Sequence, residues 1–307
     1  MRTIKLTLAY DGTQFFGWQR QRGARTVQET LEAVVEKVTG RRPSVLASGR
    51  TDAGVHALGQ VASFETESRL SVEVLRRALN AELPRSVAVL QAVEVPAGFH
   101  ATHDVVRKRY RYVIYDGPIR DVFRRQYCWH FTHGRLDAAA MQRAAAALVG
   151  KHDFSSFQTA GAARKTSVRT IFELRIERGR GEGGGGMKDE GGRMKAEGGG
   201  ALDTGFWSHV PRPSYAGCPK TEDLRPQTQD PSRQGRGEAG DFVTIEIEAD
   251  GFLYNMVRAI VGTLVEVGRG AQPDTWPAEV LRAADRRLAG RTAPPQGLFL
   301  LRAEYGE

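Results

Sequence analysis

The sequence predicts an α+β fold of two related halves, in which antiparallel sheets are backed by helices. Three observations support this. Stretches alternating apolar and polar residues, the period of a half-buried strand, take turns with stretches whose apolar residues recur every three to four positions. Their order is strand–helix–strand, strand–helix–strand up to about residue 104, then strand–helix–strand–strand–helix, ending in a strand. Finally, 40% of the 307 residues are hydrophobic, which supplies a core and excludes wholesale disorder.

The strands are read at Ile4–Tyr10, where Ile4, Leu6, Leu8 and Tyr10 alternate with polar or small residues, and at Ser44–Ala47, Gly59–Phe64 and Val87–Val95. Tyr110–Tyr115 opens the second half. Val168–Glu177 and Phe242–Ala249, the latter alternating as Phe-Val-Thr-Ile-Glu-Ile-Glu-Ala, form a hairpin, and Leu298–Tyr305 is the last strand. Helical spacing places helices at Val27–Thr39, Val72–Glu82, Leu136–Val149, Phe252–Val267 and Ala278–Leu288. The halves divide into residues 1–104 and 105–307.

One segment breaks this pattern. Residues 178–240 hold 16 of the 35 glycines and 5 of the 13 prolines and show no sustained period, so they read as a flexible insertion in the hairpin. A long exposed loop there costs little extra entropy, because closure grows only logarithmically with length. The insertion carries 10 basic and 9 acidic residues, so removing it from a chain with 44 basic and 36 acidic residues leaves 34 against 27. The positive charge therefore belongs to the structured part, as net +7 of the total +8. A polyanionic partner accounts for that excess. So does an arginine-rich composition of genomic origin, since 36 of the basic residues are Arg.

Several classes are excluded. Two cysteines, Cys128 and Cys218, make neither a disulfide framework nor a four-thiolate metal site, which fits a reducing, cytoplasmic setting. Residues 1–12 lack the apolar core of a signal peptide, and no uncharged apolar run reaches the ~20 residues of a membrane helix, so a soluble protein is expected. His56, His100, His103, His130 and His133 have no metal-ligand spacing, and no phosphate-binding loop of the Walker type is present. No metal is expected.

Chemistry concentrates in three places. Gly49-Arg50-Thr51-Asp52-Ala53-Gly54-Val55-His56-Ala57 forms a loop between strands, with one carboxylate, Asp52, near Arg50. An adjacent guanidinium favours the ionised form, and an ionised aspartate is a competent nucleophile; the same residues also suit a polar turn capped by Asp52. In Arg107-Lys108-Arg109-Tyr110-Arg111-Tyr112, alternation puts Tyr110 and Tyr112 on one strand face and Arg109 and Arg111 on the other. That arrangement suits stacked bases and bound phosphates, or an ordinary half-buried strand with a solvated charged face. On the helix 252–267, Arg258 is the only basic residue, on a flank with Asn255 and Gly262 beside an apolar stripe. Such an arginine snorkels to solvent or reaches a buried carboxylate. Phe15, Phe16 and Trp18, followed by Gln19-Arg20-Gln21-Arg22, form either a stacking surface or part of the core.

Together these segments resemble the TruA family of tRNA pseudouridine synthases. The resemblance rests on Tyr10-Asp11-Gly12 through Phe16-Gly17-Trp18-Gln19-Arg20-Gln21, the Gly49–Ala57 loop, Lys108–Tyr112 and Asp153-Phe154-Ser155-Ser156-Phe157. Phe252–Arg258, Ile260–Leu264 and Gly297–Leu301 complete it, in the family's order, over nearly the whole chain except 178–240. It implies the pseudouridine synthase fold with a catalytic cleft between the halves, and isomerisation of uridine at positions 38, 39 and 40 of the tRNA anticodon stem-loop. It also implies a homodimer and no cofactor. Carried over, Asp52 is the catalytic aspartate acting at the ribose, Tyr110 packs on the base and serves as general base, and Arg258 pairs with the aspartate. Arg50 takes the flipped nucleotide's place in the stem, and Leu298 walls the uracil pocket. Two other classes compete. A nucleosidase or glycosidase using Asp52 needs a second carboxylate that these segments do not supply. A non-catalytic RNA-binding paralogue is marked by loss of the aspartate, and Asp52 is present.

Overall fold

A computed structural model describes residues 1–159, 166–179 and 240–306. The first strand, β1 (Arg2–Tyr10), turns Ile4, Leu6, Leu8 and Tyr10 to one buried face. It pairs antiparallel with β3 (His56–Thr66) on one side and β4 (Val87–Val95) on the other. Helices α1 (Val27–Thr39) and α2 (Val72–Glu82) lie between these strands in sequence. Thr26 caps α1 by accepting the Glu29 N–H, and Ser71 caps α2 through the Val74 N–H. A short strand, β2 (Leu46–Ala47), adds to β3.

The sheet continues without a break past residue 104. β5 (Val105–Tyr115) pairs antiparallel with β9 (Phe242–Ala249), followed outward by β8 (Val168–Gly179) and β7 (Gly150–Asp153). The last strand in sequence, β10 (Leu298–Tyr305), lies between β3 and β5, parallel to the first and antiparallel to the second. The fold is therefore α+β as expected, with the antiparallel sheets of the two halves fused into one mixed sheet. Residues 1–178 and 242–307 make up one compact unit. Of the glycine-rich insertion, only residues 178, 179 and 240 are described; the rest, with Cys218, lies outside the described residues.

Helices α3 (Ala138–Ala145), α4 (Met256–Gly268) and α5 (Trp276–Ala283) belong to the second half. The core runs continuously from Ile4, Leu6 and Leu31 in the first half to Ile245, Ile260 and Leu264 in the second, and all six are fully buried.

Three helices are shorter than their apolar periodicity. α3 starts only where Asp137 caps it through the Ala140 N–H, and its last turn tightens to a 3-10 turn. α5 stops at Ala284, whose left-handed backbone (φ 50°) ends the helix before Arg286–Leu288. α4 begins at Met256 rather than Phe252, because Asn255 adopts φ 61° and sends the preceding residues away from the helix axis. Two short strands, β6 (Trp129–His130) and β7, carry too few residues to show a period.

Candidate active site

The Asp52 loop joins β2 to β3 and is fixed from several sides. Beneath it the Gln60 side chain, fully buried on β3, donates to the Gly49 carbonyl (2.8 Å) and the Tyr10 hydroxyl (3.3 Å) while accepting from Ser48 Oγ (2.7 Å). The Tyr10 hydroxyl bonds in turn to Thr51 Oγ1 at 2.8 Å. Backbone bonds from Trp18 N–H to the Thr51 carbonyl (2.9 Å) and from Gly54 N–H to the Phe15 carbonyl (3.2 Å) stitch the loop to residues 15–18. A satisfied buried network of this kind holds a backbone in one conformation.

His56, at the start of β3, is buried with its ring stacked on Phe299. Its Nδ1 lies 3.1 Å from the Gly12 nitrogen and 3.2 Å from Asp11 Oδ1, while Nε2 faces the Gln126 carbonyl at 3.0 Å. His56 foremost, with Thr13 and Tyr127, holds the Asp11 carboxyl well below the usual carboxylate range against the opposing effect of burial. This histidine is part of the loop's support. Among the described residues no group of three His, Cys, Asp or Glu side chains converges as metal ligands do.

Arg258 comes from the first turn of α4, 206 residues away in sequence, and places Nη1 3.4 Å from Asp52 Oδ2. The same nitrogen donates to Asn255 Oδ1 (2.9 Å), and Nε donates to the Ala293 carbonyl (2.6 Å). The Ala293 N–H returns a bond to the Arg258 carbonyl at 3.0 Å, so α4 and the segment before β10 are clasped in both directions. Gly262 permits this approach: a Cβ there would lie 1.6 Å from the Arg291 carbonyl oxygen. Asp52 and Arg258 retain 26% and 15% of their side-chain exposure, so the pair is only partly dry. Burial raises the Asp52 carboxyl above its ordinary value, and the Arg258 guanidinium opposes that rise.

β5 runs alongside. Lys108, Tyr110 and Tyr112 share its inner face, and Lys108 Nζ lies close enough to Gly49 that a Cβ there would sit 3.2 Å from it. The Tyr112 hydroxyl donates to the Pro294 carbonyl (2.7 Å), and burial pushes this phenol well above its ordinary range. Tyr110, between them, is buried edge-on to Phe252 at 5.0 Å. In the neighbouring strand Leu300 stands opposite Tyr110 and Leu298 opposite Tyr112, both buried. Arg50 is exposed, with no hydrogen bond or ion pair among the described residues.

The outer face of β5 corrects one reading. Arg109 is bonded to Glu246, Glu248 and Glu173, and Arg111 to Glu246, so these arginines form an ion-pair ladder across β8 and β9. Their charge is met within the protein, so these two arginines are neither free for phosphates nor simply solvated, Arg109 being only 19% exposed. Phe15 and Trp18 are likewise core residues, at 3% and 1% exposure, whereas Phe16 is 61% exposed.

Gln60 and Ala293 were not singled out from the sequence. A lone amide within the apolar strand 59–64 is the signal that points to Gln60; a backbone carbonyl such as that of Ala293 leaves none.

The pattern of an aspartate loop, a tyrosine strand and an arginine helix meets its match in known proteins. The model of a family described as tRNA pseudouridine synthase covers residues 7–104 and 144–306. The chain belongs to the tRNA pseudouridine synthase family. The tRNA pseudouridine synthase A of Thermoanaerobacter sp. (strain X514) is 37% identical over 305 residues, spanning 99% of this chain and all of that protein. Proteins of the same name from Moorella thermoacetica and Geobacter sp. (strain M21) are 39% and 35% identical, each aligned over 308 residues. These two alignments cover 99% and 100% of this chain and the whole of each relative. Asp52, Arg258, Arg50 and Leu298 lie within the residues that match the pseudouridine synthase family model, whereas Tyr110 falls between the two matched stretches.

Proposed function

We propose that this family member isomerises uridine to pseudouridine at positions 38, 39 and 40 in the anticodon stem-loop of tRNA. The observation that carries the reading is the Asp52–Arg258 contact at 3.4 Å, formed between a loop of the first half and a helix of the second. Asp52 acts at the ribose as the N1–C1′ bond breaks. The freed uracil turns while held, C5 bonds to C1′, Tyr110 takes the proton that C5 loses, and N1 regains one. The product has the formula of the substrate, so no oxidant, reductant or group donor enters.

The surroundings suit each step. A detached base leaves an open cleft, so the buried Leu298 and Tyr110 and the half-buried Phe252 serve as walls. The guanidinium of Arg258 favours the ionised carboxylate that burial disfavours. A uridine in a stem must leave the stack at a cost of a few kcal/mol, and the exposed Arg50, planar and cationic, fills the gap while contacting phosphate. The Asp52 carboxylate faces an arginine, a poor arrangement for a glycosidase working with two carboxyl groups.

We read the protein as a cytoplasmic homodimer that binds tRNA across both subunits, a reading supported by the family resemblance. No helix among the described residues is long and apolar enough to cross a membrane. The test is to map pseudouridine in tRNA from cells lacking the gene, complemented with wild type or Asp52→Ala. Wild type restores anticodon-arm pseudouridine and Asp52→Ala does not. No restoration by wild type overturns the assignment, and full restoration by Asp52→Ala overturns the mechanism.

A further inference from the structure

We infer that Phe16 is a substrate-positioning residue whose ring stacks on a base of the tRNA next to the target uridine. The inference rests on the tRNA reading above and adds a contact outside the pocket. Phe16 is 61% exposed between two aromatics, Phe15 and Trp18, that are fully committed to the core. An exposed ring of this kind forgoes burial worth as much as its neighbours obtain, while its backbone is held firmly. The Phe16 N–H donates to the Arg25 carbonyl at 2.9 Å, and its carbonyl accepts from Gln21 Nε2 at 3.2 Å.

The ring is also fixed relative to the chemistry. Gly17, the next residue, adopts φ +83° and lies so close to the aspartate loop that a Cβ would sit 2.5 Å from the Thr51 carbonyl oxygen and 3.0 Å from the Asp52 carbonyl carbon. Only glycine serves there, and the close approach sets Phe16 one residue from the backbone that bears Asp52. The hairpin that carries Phe16 closes through the Gln21–Ala24 bridge and bears Arg22 at its exposed tip, with no partner among the described residues. Arg25 covers the Phe15 ring at 4.9 Å. A held, exposed aromatic ring with cations on the same hairpin matches the way proteins grip unstacked bases and their phosphates. Its rigidity lowers the ordering cost of binding.

The experiment compares wild type, Phe16→Ala, Phe16→Leu and Phe16→Trp for tRNA dissociation constant, single-turnover rate and melting temperature. A stack made equally in ground and transition states weakens binding without slowing the bound complex. Phe16→Ala and Phe16→Leu then weaken tRNA binding by about tenfold, within the range of losing one base–aromatic stack, at unchanged single-turnover rate and melting temperature. Phe16→Trp restores binding. Unchanged binding by Phe16→Ala overturns the inference, as does rescue by Phe16→Leu equal to that by Phe16→Trp, or a fall in melting temperature that accounts for the loss. Wild-type protein that leaves uridine in tRNA unchanged overturns the underlying reading instead, which separates the two failures.

Discussion

Replacing Arg258 with leucine removes the cation facing Asp52 and keeps an apolar side chain of helical habit. At the observed 3.4 Å, the attraction between two unit charges is about 1.2 kcal/mol in a fully aqueous surrounding and about 5 kcal/mol at the effective dielectric of a protein surface. The partial exposure of both groups puts the interaction between those limits, at roughly 2–4 kcal/mol. If the ionised carboxylate is the working form, Arg258→Leu lowers kcat/KM near neutral pH by roughly 30- to 1000-fold. The pH profile carries the distinguishing signature. Burial already raises the Asp52 carboxyl, and removing Arg258 leaves that effect unopposed, so the acidic limb moves to higher pH and part of the activity returns in alkali. The assay is the rate of pseudouridine formation in one tRNA transcript from pH 5 to 9, with Arg258→Lys as a charge-retaining control that loses the side-chain bond to the Ala293 carbonyl. Activity of Arg258→Leu within about threefold of wild type, with an unmoved acidic limb, refutes the reasoning.

Three further outcomes follow from the same geometry. Asp52→Asn inactivates the enzyme yet stabilises it: a carboxyl raised in the folded state favours its protonated form, so its ionisation costs stability at neutral pH, and the variant's advantage fades as pH falls below the ordinary carboxylate value. Thermal melts at pH 7 and pH 4 read this, since even ~0.5 kcal/mol is about 1–2 °C in a domain of this size. Gly262→Ala forces a Cβ against the Arg291 carbonyl, costs about 1–3 kcal/mol or more in denaturant titration, and lowers activity by displacing the segment that holds Arg258. Asp116→Ala removes the buried carboxylate to which the half-buried Arg178 makes two bonds at 2.9 and 2.6 Å, leaves that arginine its bond to the Leu136 carbonyl, and destabilises the protein by about 1–3 kcal/mol in the same titration.

Much of this was legible in the residues. α1, α2, β4, β9 and β10 lie where periodicity places them, because each is long enough to show its period. The shortened α4 was not legible, since Asn255 at φ 61° is a backbone choice made by tertiary contacts: its side chain reaches Thr159 and Arg258. The fate of the arginines on β5 was hidden for a related reason. Their glutamate partners lie on β8 and β9, more than 60 residues away in sequence for Glu173 and more than 130 for Glu246 and Glu248, and no local pattern pairs them. The meeting of Asp52 with Arg258 was visible only through family likeness; spacing alone left Arg258 free to reach solvent. Phe16 was ambiguous between core and surface because three nearby aromatics share one composition and only packing separates them.

The position of β10 bears on how the protein is made. β3 ends at Thr66, but the strand that fills its far side begins at Leu298, about 230 residues later. At ribosomal rates of ~5–20 residues per second, β3 waits roughly 10–45 s for that neighbour, and β5 waits beside it. During this interval two strand edges are open to water and to other nascent chains, a known hazard for aggregation. The clasp between Ala293 and Arg258 forms in the same final seconds, because it lies just ahead of β10. Joining of β3 to β5 through β10 is thus a late event in synthesis, and a chain stopped before residue 298 lacks the strand that links them.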